Sequence, residues 1–127
     1  MILFDLKQVV ATPGGFRATT SPKVDSVIYK AHFPGNPVTP GACLIQAVCS
    51  LVEKHCGCKM LLSEAKSVKF ISTIVPNSED EVVFDVEFHG QPAALNQPPL
   101  SVKATVTVGN GICAKMSLLF DAYAAAL

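Results

Sequence analysis

The segment GACLIQAVCSLVEKH, residues 41–55, constrains the fold more than any other part of the chain. It contains no proline and no glycine after Gly41, and Gly57 follows at a position that suits a helix end. The segment therefore predicts one long α-helix, and no other stretch predicts a second. Because apolar residues occur nearly all round this helix, we expect a β-sheet to wrap around it.

Alternation of apolar and polar residues predicts strands on both sides of the helix. The predicted extended segments are 1–10, 15–20, a short piece at Ser26–Lys30, 67–73, 81–90, 100–109 and 112–120. Thr12–Gly15 predicts a turn between the first two, and Asn110-Gly111 predicts a tight hairpin between the last two. Gln91–Pro99 predicts a longer loop. The strands after the helix fit an antiparallel sheet, so the sequence predicts an α+β fold.

The length of 127 residues predicts a single domain spanning 1–127. Ten basic and ten acidic side chains cancel, which argues against nucleic acid as a partner. Half of the residues are hydrophobic, more than so small a domain can bury, so we expect contact with another subunit. No segment is apolar enough for a membrane span, and Asp5 and Lys7 interrupt the start, which predicts a cytoplasmic protein. Five cysteines argue against a disulfide framework.

The stretch AHFPGNPVTPGACLIQA, residues 31–47, leads directly into the predicted helix. Its three prolines, Pro34, Pro37 and Pro40, each fix a backbone angle, so the first histidine of the chain, His32, is held in a stiff loop. Gly41 opens the helix, where backbone N–H groups lack intrahelical acceptors and favour an oxygen that gains negative charge. This is the geometry that an oxyanion site needs.

The run HFPGNPVTPG, residues 32–41, resembles the signature loop of the hot-dog fold β-hydroxyacyl-acyl-carrier-protein dehydratases. The match covers HFPG, PV and PG with unaltered spacing. Weaker similarity extends over KFISTIVPNSEDEVVFDVEF and AKMSLLF. The resemblance implies a hot-dog fold, in which an antiparallel sheet wraps around one long central helix.

The resemblance also implies a reaction and its machinery. Dehydratases of this family remove water from a 3-hydroxyacyl group carried on the phosphopantetheine of acyl carrier protein, and they need no further cofactor or metal. His32 matches the histidine that removes a proton beside the thioester carbonyl, and the Gly41 N–H would hold that carbonyl. Phe33, Pro40 and Ala42 would lie at the substrate. Active sites of the family usually form between two subunits, so we expect a homodimer, a trimer of dimers or a heterodimer.

Position 46 departs from the family pattern, because the dehydratases usually carry a glutamate there and this chain has Gln46. An amide can orient a hydroxyl but cannot exchange a proton. Gln46 could bind the leaving hydroxyl while His32 alone moves the proton, or it could mark a silent acyl-binding site or heterodimer partner. It could also belong to a polar surface stripe with Ser50 and Glu53. We favour a position in the same pocket as His32.

The other candidate residues favour structural roles. His55 lies at the predicted helix end and His89 at a strand end, where both fit packing or solvent exposure. The pair Cys56 and Cys58 lacks a second pair at zinc-ligand spacing, so we predict no metal site. Cys43 near the helix start is a minor candidate for a nucleophile. A thioesterase of the same fold would need a helix carboxylate, and the helix offers only Glu53, about two turns beyond Gln46.

Overall fold

The computed structural model describes residues 1–89 and 100–122, with the side chain of Ala122 left aside. The strands are β1 (Phe4–Thr12), β2 (Gly15–Pro22), β3 (Met60–Phe70), β4 (Val82–His89), β5 (Leu100–Val108) and β6 (Gly111–Ala122). The helices are α1 (Val27–Ala31) and α2 (Gly41–Cys56). The strands form one antiparallel sheet in the order β1-β2-β4-β5-β6-β3. The predicted α+β architecture, one long helix against an antiparallel sheet, is confirmed.

Helix α2 buries a stripe with the spacing of a helix face, namely Leu44, Ala47, Val48, Leu51 and Val52. The inward residues of the central strands alternate in the same core, for example Val82, Phe84 and Val86 on β4. Burial is one-sided rather than all round, because Ala42, Lys54 and His55 remain exposed on α2. The sheet therefore holds the helix by one face, and both helix ends reach the surface.

Three local predictions need correction. Ser26–Lys30 is not extended, because Ser26 caps α1: its hydroxyl accepts a hydrogen bond from the Ile28 N–H at 3.2 Å. The last hairpin turns at Gly109-Asn110 rather than Asn110-Gly111, since Val108 pairs with Gly111 and Gly109 has φ +60°. The strand predicted at 67–73 is β3, which begins seven residues earlier and ends at Phe70. The predicted loop Gln91–Pro99 lies outside the described residues.

The two edges of the sheet are β1 and β3. β3 pairs only with β6 among the described strands, and most of its residues are exposed. Its register with β6 shifts at Ser63 and again at Lys66. No helix in the described part of the chain is long and apolar enough to cross a membrane.

Candidate active site

His32 directly follows α1 and caps its end. Its backbone N–H donates to the Ile28 carbonyl at 2.9 Å, and its ring Nδ1 lies 3.1 Å from the same oxygen. A carbonyl only accepts hydrogen bonds, so this contact favours the tautomer with the proton on Nδ1. The other nitrogen, Nε2, then keeps its lone pair, and the exposed side chain presents it to solvent. This is the state that a general base requires.

The loop after His32 closes on itself through backbone hydrogen bonds. Phe33 and Asn36 exchange two bonds, at 3.0 Å and 2.8 Å, and Gly35 between them has φ +73°. The Val38 N–H then donates to the His32 carbonyl at 2.8 Å. These bonds, together with the prolines, fix the backbone on both sides of the histidine. The predicted stiffness of the loop therefore has identified contacts behind it.

The loop joins α2 at Pro40, which offers no side-chain cap to the first turn of the helix. The Cys43 N–H donates to the Pro40 carbonyl at 3.0 Å. Gly41 has no room for a side chain, because a Cβ there would lie 2.4 Å from Cζ of Phe70, the last residue of β3. The backbone at the helix start is therefore in contact with an aromatic ring, which is half exposed.

A cavity of about 290 Å³ opens beside this helix start. Its lining consists of Val38, Thr39, Gly41, Leu44 and the segment Phe70–Ile74. The cavity thus contains the predicted oxyanion donor, and Val38 links its wall to His32 through the backbone hydrogen bond. Of the other predicted contact residues, Pro40 is half-buried, whereas Phe33 and Ala42 are exposed. A larger groove of about 420 Å³ crosses the outer face of the sheet and contains none of the predicted site residues.

Gln46 is half-buried on a different side of α2. Its amide oxygen accepts from the Ile2 N–H at 3.3 Å, and its amide nitrogen donates to the Ser50 hydroxyl at 2.7 Å. It does not line the cavity at Gly41. Neither Gln46 nor His32 lines any of the four main cavities found among the described residues. A shared pocket for Gln46 and His32 stays a prediction. It requires two chains to assemble so that Gln46 of one lies near His32 of the other.

A buried pair of hydroxyl groups behind the cavity escaped the sequence analysis. The Tyr29 hydroxyl lies 2.9 Å from the Thr39 hydroxyl, and the two side chains are 1% and 9% exposed. Burial raises the pKa of Tyr29, so it stays protonated at neutral pH. The only sequence signal was proximity to the motif, because Tyr29 precedes His32 by three residues and Thr39 precedes Pro40.

The remaining candidate residues either lie near the C-terminal end of α2 or have a side chain of reduced reactivity. The Glu53 carboxylate accepts from the Met60 N–H at 3.2 Å, twelve residues and therefore about 18 Å along the helix from Gly41. His55 stacks against both Phe16 and Phe88, with ring centroids 4.9 Å and 5.0 Å away. Burial raises the pKa of the Cys43 thiol, which disfavours a nucleophilic thiolate.

All five cysteines are free thiols. Cys58 contacts Met60, with the two sulfur atoms 3.8 Å apart, and burial raises the pKa of Cys56. Within residues 1–89 and 100–122, no three His, Cys, Asp or Glu side chains are grouped so that they could hold a metal ion.

Solved structures of other proteins share this architecture. The dehydratase heterocomplex ApeI:P from Xenorhabdus doucetiae matches with a TM-score of 0.71 at 12% identity, over 93% of this chain and 97% of that one. A hypothetical thioesterase with coenzyme A from Streptococcus pneumoniae matches with a TM-score of 0.62 at 14% identity, over 94% and 88% of the two chains. At these identities the likeness establishes the fold alone, and the fold is the hot-dog fold.

Sequence comparison identifies one family within the proteins of this fold. Residues 12–96, more than half of the chain, match the family model of the ApeI-like proteins, described as ApeI dehydratase. The chain therefore belongs to the ApeI-like dehydratase family. It is also 28% identical over 92 residues to the 3-hydroxyacyl-[acyl-carrier-protein] dehydratase FabZ of Clostridium acetobutylicum. The aligned part is 67% of this chain and 56% of FabZ, so the chain spans little more than half the length of that relative.

Proposed function

We propose that this protein dehydrates 3-hydroxyacyl thioesters of acyl carrier protein to trans-2-enoyl thioesters, in fatty acid or related lipid synthesis. The observation that carries the proposal is the contact of His32 Nδ1 with the Ile28 carbonyl, which leaves Nε2 free to act as a base. Membership of the ApeI-like family supports the reaction class. The reaction needs no metal and no cofactor beyond the phosphopantetheine of the carrier. We place it in the cytoplasm, where free thiols persist.

Two groups of the chain carry out the reaction, the imidazole of His32 and the backbone N–H of Gly41. His32 Nε2 removes a proton from C2 of the acyl chain, next to the thioester carbonyl. The carbonyl oxygen gains negative charge as this proton leaves, and the Gly41 N–H at the uncapped helix start stabilises it. The acyl chain would extend from Gly41 into the cavity, toward Leu44 and Ile74. Phe33, Pro40 and Ala42 would contact the thioester and its pantetheine arm.

We propose that the active form contains two hot-dog subunits that meet along β3. Among the described strands, β3 is a sheet edge that pairs only with β6, and apolar side chains near its end are half exposed, namely Phe70, Ile71 and Val75. An open edge with exposed apolar residues is a surface that a second chain can extend. A partner subunit placed there could bring its own Gln46 toward His32. A homodimer, a trimer of dimers and a heterodimer all satisfy this requirement.

A second candidate is a silent subunit that binds acyl chains or completes the site of an active homologue. Two observations favour it. By the motif resemblance, Gln46 falls where the dehydratases usually carry a carboxylate, and both ends of its amide are already hydrogen-bonded. The protein of similar fold from Xenorhabdus doucetiae is a heterocomplex of dehydratases.

The deciding experiment measures enoyl product from 3-hydroxyacyl-carrier-protein substrates, with the natural protein, His32→Ala and Gln46→Glu. A glutamate at position 46 could keep the Ile2 N–H as a donor to one oxygen, and the Ser50 hydroxyl, which now accepts from Gln46, could rotate to donate to the other. Turnover that is lost in His32→Ala establishes the dehydratase. Absence of turnover in the natural protein, with a gain in Gln46→Glu, would establish the silent subunit. Product release as free acid and thiol would instead indicate a thioesterase.

A further inference from the structure

Thr39 is the one residue of the stiff loop that both lines the cavity and makes a side-chain hydrogen bond into the core. Its backbone N–H donates to the Ile74 carbonyl at 2.9 Å, which fixes its position on the cavity wall. Its hydroxyl meets Tyr29 at 2.9 Å, and Tyr29 is 1% exposed. No buried side-chain nitrogen or oxygen in the described residues lacks a hydrogen-bond partner. The pair is therefore a satisfied polar contact within an apolar core.

The direction of this hydrogen bond follows from the burial of its two members. Each hydroxyl carries one proton, and only one of the two protons can lie between the oxygens. If Thr39 were the donor, the Tyr29 proton would point into the core without an acceptor, which is costly. If Tyr29 is the donor, the remaining proton belongs to Thr39, a residue of the cavity lining. Burial favours the second arrangement, and the raised pKa of Tyr29 keeps its proton in place.

We propose that the Thr39 hydroxyl, oriented by Tyr29, donates a hydrogen bond to the 3-hydroxyl oxygen of the acyl substrate. This inference rests on the proposed function. Thr39 and Gly41 are two residues apart and so within about 7 Å along one cavity wall. The substrate carries its carbonyl oxygen on C1 and its hydroxyl on C3, only two carbons further along. One short stretch of backbone can therefore hold both oxygens.

The elimination balances with His32 as the only group that exchanges a proton. His32 Nε2 takes the proton from C2, the electrons of that C–H bond form the C2–C3 double bond, and the C3–O bond breaks with its electron pair on oxygen. The departing oxygen then receives the proton from the His32 imidazolium and leaves as water. Thr39 keeps its proton throughout and contributes a hydrogen bond to the oxygen as its negative charge grows. Gln46 need not supply a proton.

The test compares the binding of two pantetheine thioesters, 3-hydroxyhexanoyl and hexanoyl, which differ only in the hydroxyl. We expect the natural protein to prefer the hydroxyl ligand by about tenfold, the value of one neutral hydrogen bond. Thr39→Val should abolish this preference, Thr39→Ser should keep it, and Tyr29→Phe should reduce it. In the turnover assay, Thr39→Val should raise KM for the 3-hydroxyacyl substrate about tenfold, because the lost hydrogen bond is made in the ground state, and should also lower kcat, because that bond strengthens as negative charge grows on the oxygen.

Thr39→Val leaves the Tyr29 hydroxyl buried without a partner, which endangers the fold. The double variant Tyr29→Phe, Thr39→Val removes both hydroxyls and should fold while still lacking the preference. Thr73→Val is the matched control, because Thr73 is the other threonine of the cavity lining. Equal affinities in the natural protein, or a preference that is lost in Thr73→Val and kept in the double variant, would overturn the assignment of Thr39. A preference that depends on Thr39 without any turnover would support this assignment and overturn the dehydratase.

Discussion

The two ends of helix α2 differ in how fully their hydrogen bonds are made. At the C-terminal end, Gly57 adopts φ +70° and donates its N–H to the Glu53 carbonyl at 2.9 Å, which is a regular helix stop. The Glu53 carboxylate also accepts from the Met60 N–H, and His55 stacks against two phenylalanine rings. At the N-terminal end, Pro40 supplies no side-chain cap and Gly41 borders a cavity.

Both ends of α2 are held by hydrogen bonds, but the two ends use their polar groups differently. The C-terminal end uses its polar groups to close the fold. The N-terminal end holds its backbone equally firmly through the loop bonds of His32, Phe33 and Val38, yet leaves the helix start and the imidazole Nε2 available. A rigid region with unused hydrogen-bonding groups is what a preorganised site requires. Substitutions at matched positions of the two ends can therefore separate function from stability.

The largest difference is expected between the two histidines. His32→Gln should lower enoyl formation by about a hundredfold to ten-thousandfold, because the base is lost, and should leave the urea midpoint unchanged, because the ring is exposed. His55→Gln should keep turnover and lower the free energy of unfolding by about 1 kcal/mol, because two ring contacts are lost. Equal loss of turnover in both variants would contradict the assignment of His32.

The two glycines give the next largest difference. Gly41→Ala places a methyl group 2.4 Å from Phe70 Cζ, so the ring must turn away and disturb the cavity. Turnover should fall by up to about a hundredfold, with partial recovery in Gly41→Ala, Phe70→Ala. Gly57→Ala should keep turnover and cost about 1 kcal/mol of stability, since φ is positive there. A Gly41→Ala protein with full turnover would remove Gly41 from the site.

A smaller effect is expected for Glu53→Gln. The amide oxygen can still accept from the Met60 N–H, but the hydrogen bond loses its charge, so the free energy of unfolding should fall by about 1 kcal/mol. Turnover of the dehydration should not change. A loss of thioester hydrolysis in this variant would instead identify Glu53 as the carboxylate of a thioesterase.

The smallest effects concern alkaline pH. Burial raises the pKa of Tyr29 above its ordinary 10.0 and that of Cys56, beside Cys58, above its ordinary 9.0. The folded state therefore favours the protonated forms, and this stabilisation is lost as pH rises above these ordinary values. Urea titrations across the range from about pH 8 to pH 11 should show that Cys56→Ser flattens the fall above pH 9 and Tyr29→Phe the fall above pH 10. Parallel curves for all three proteins would contradict both shifts.

The sequence predicted the parts of the molecule that follow from local patterns. Gly57 ends α2 because the residue after a helix often adopts the left-handed conformation, and strands such as β4 follow from alternation. The short helix α1 was missed because its five residues are too few for a periodic pattern, and its Ser26 cap alone marks its start. The early part of β3 was missed because its exposed residues do not alternate.

The candidate site also has features that local sequence patterns predict and features that they do not. The loop sequence predicted a fixed His32 beside a helix start, since proline and glycine act on the backbone locally. The contact of Phe70 with Gly41 and that of Tyr29 with Thr39 depend on how the edge strand and α1 pack, which no local pattern encodes. The hydrogen bonds of Gln46 to Ile2 and Ser50 belong to this second kind too.

The irregularity of the edge strand β3 affects how prone the single chain is to aggregate. Long exposed edges invite indiscriminate pairing and aggregation, and proteins guard them with bulges and charged residues. β3 has two register shifts, and Glu64, Lys66 and Lys69 place three charges along its eleven residues. Ser63 at the first shift also donates its hydroxyl proton to the Leu119 carbonyl at 3.2 Å, which ties the bulge to β6. These features disfavour fibril-like stacking along β3, while the subunit that we propose as its partner could still pair with the same edge.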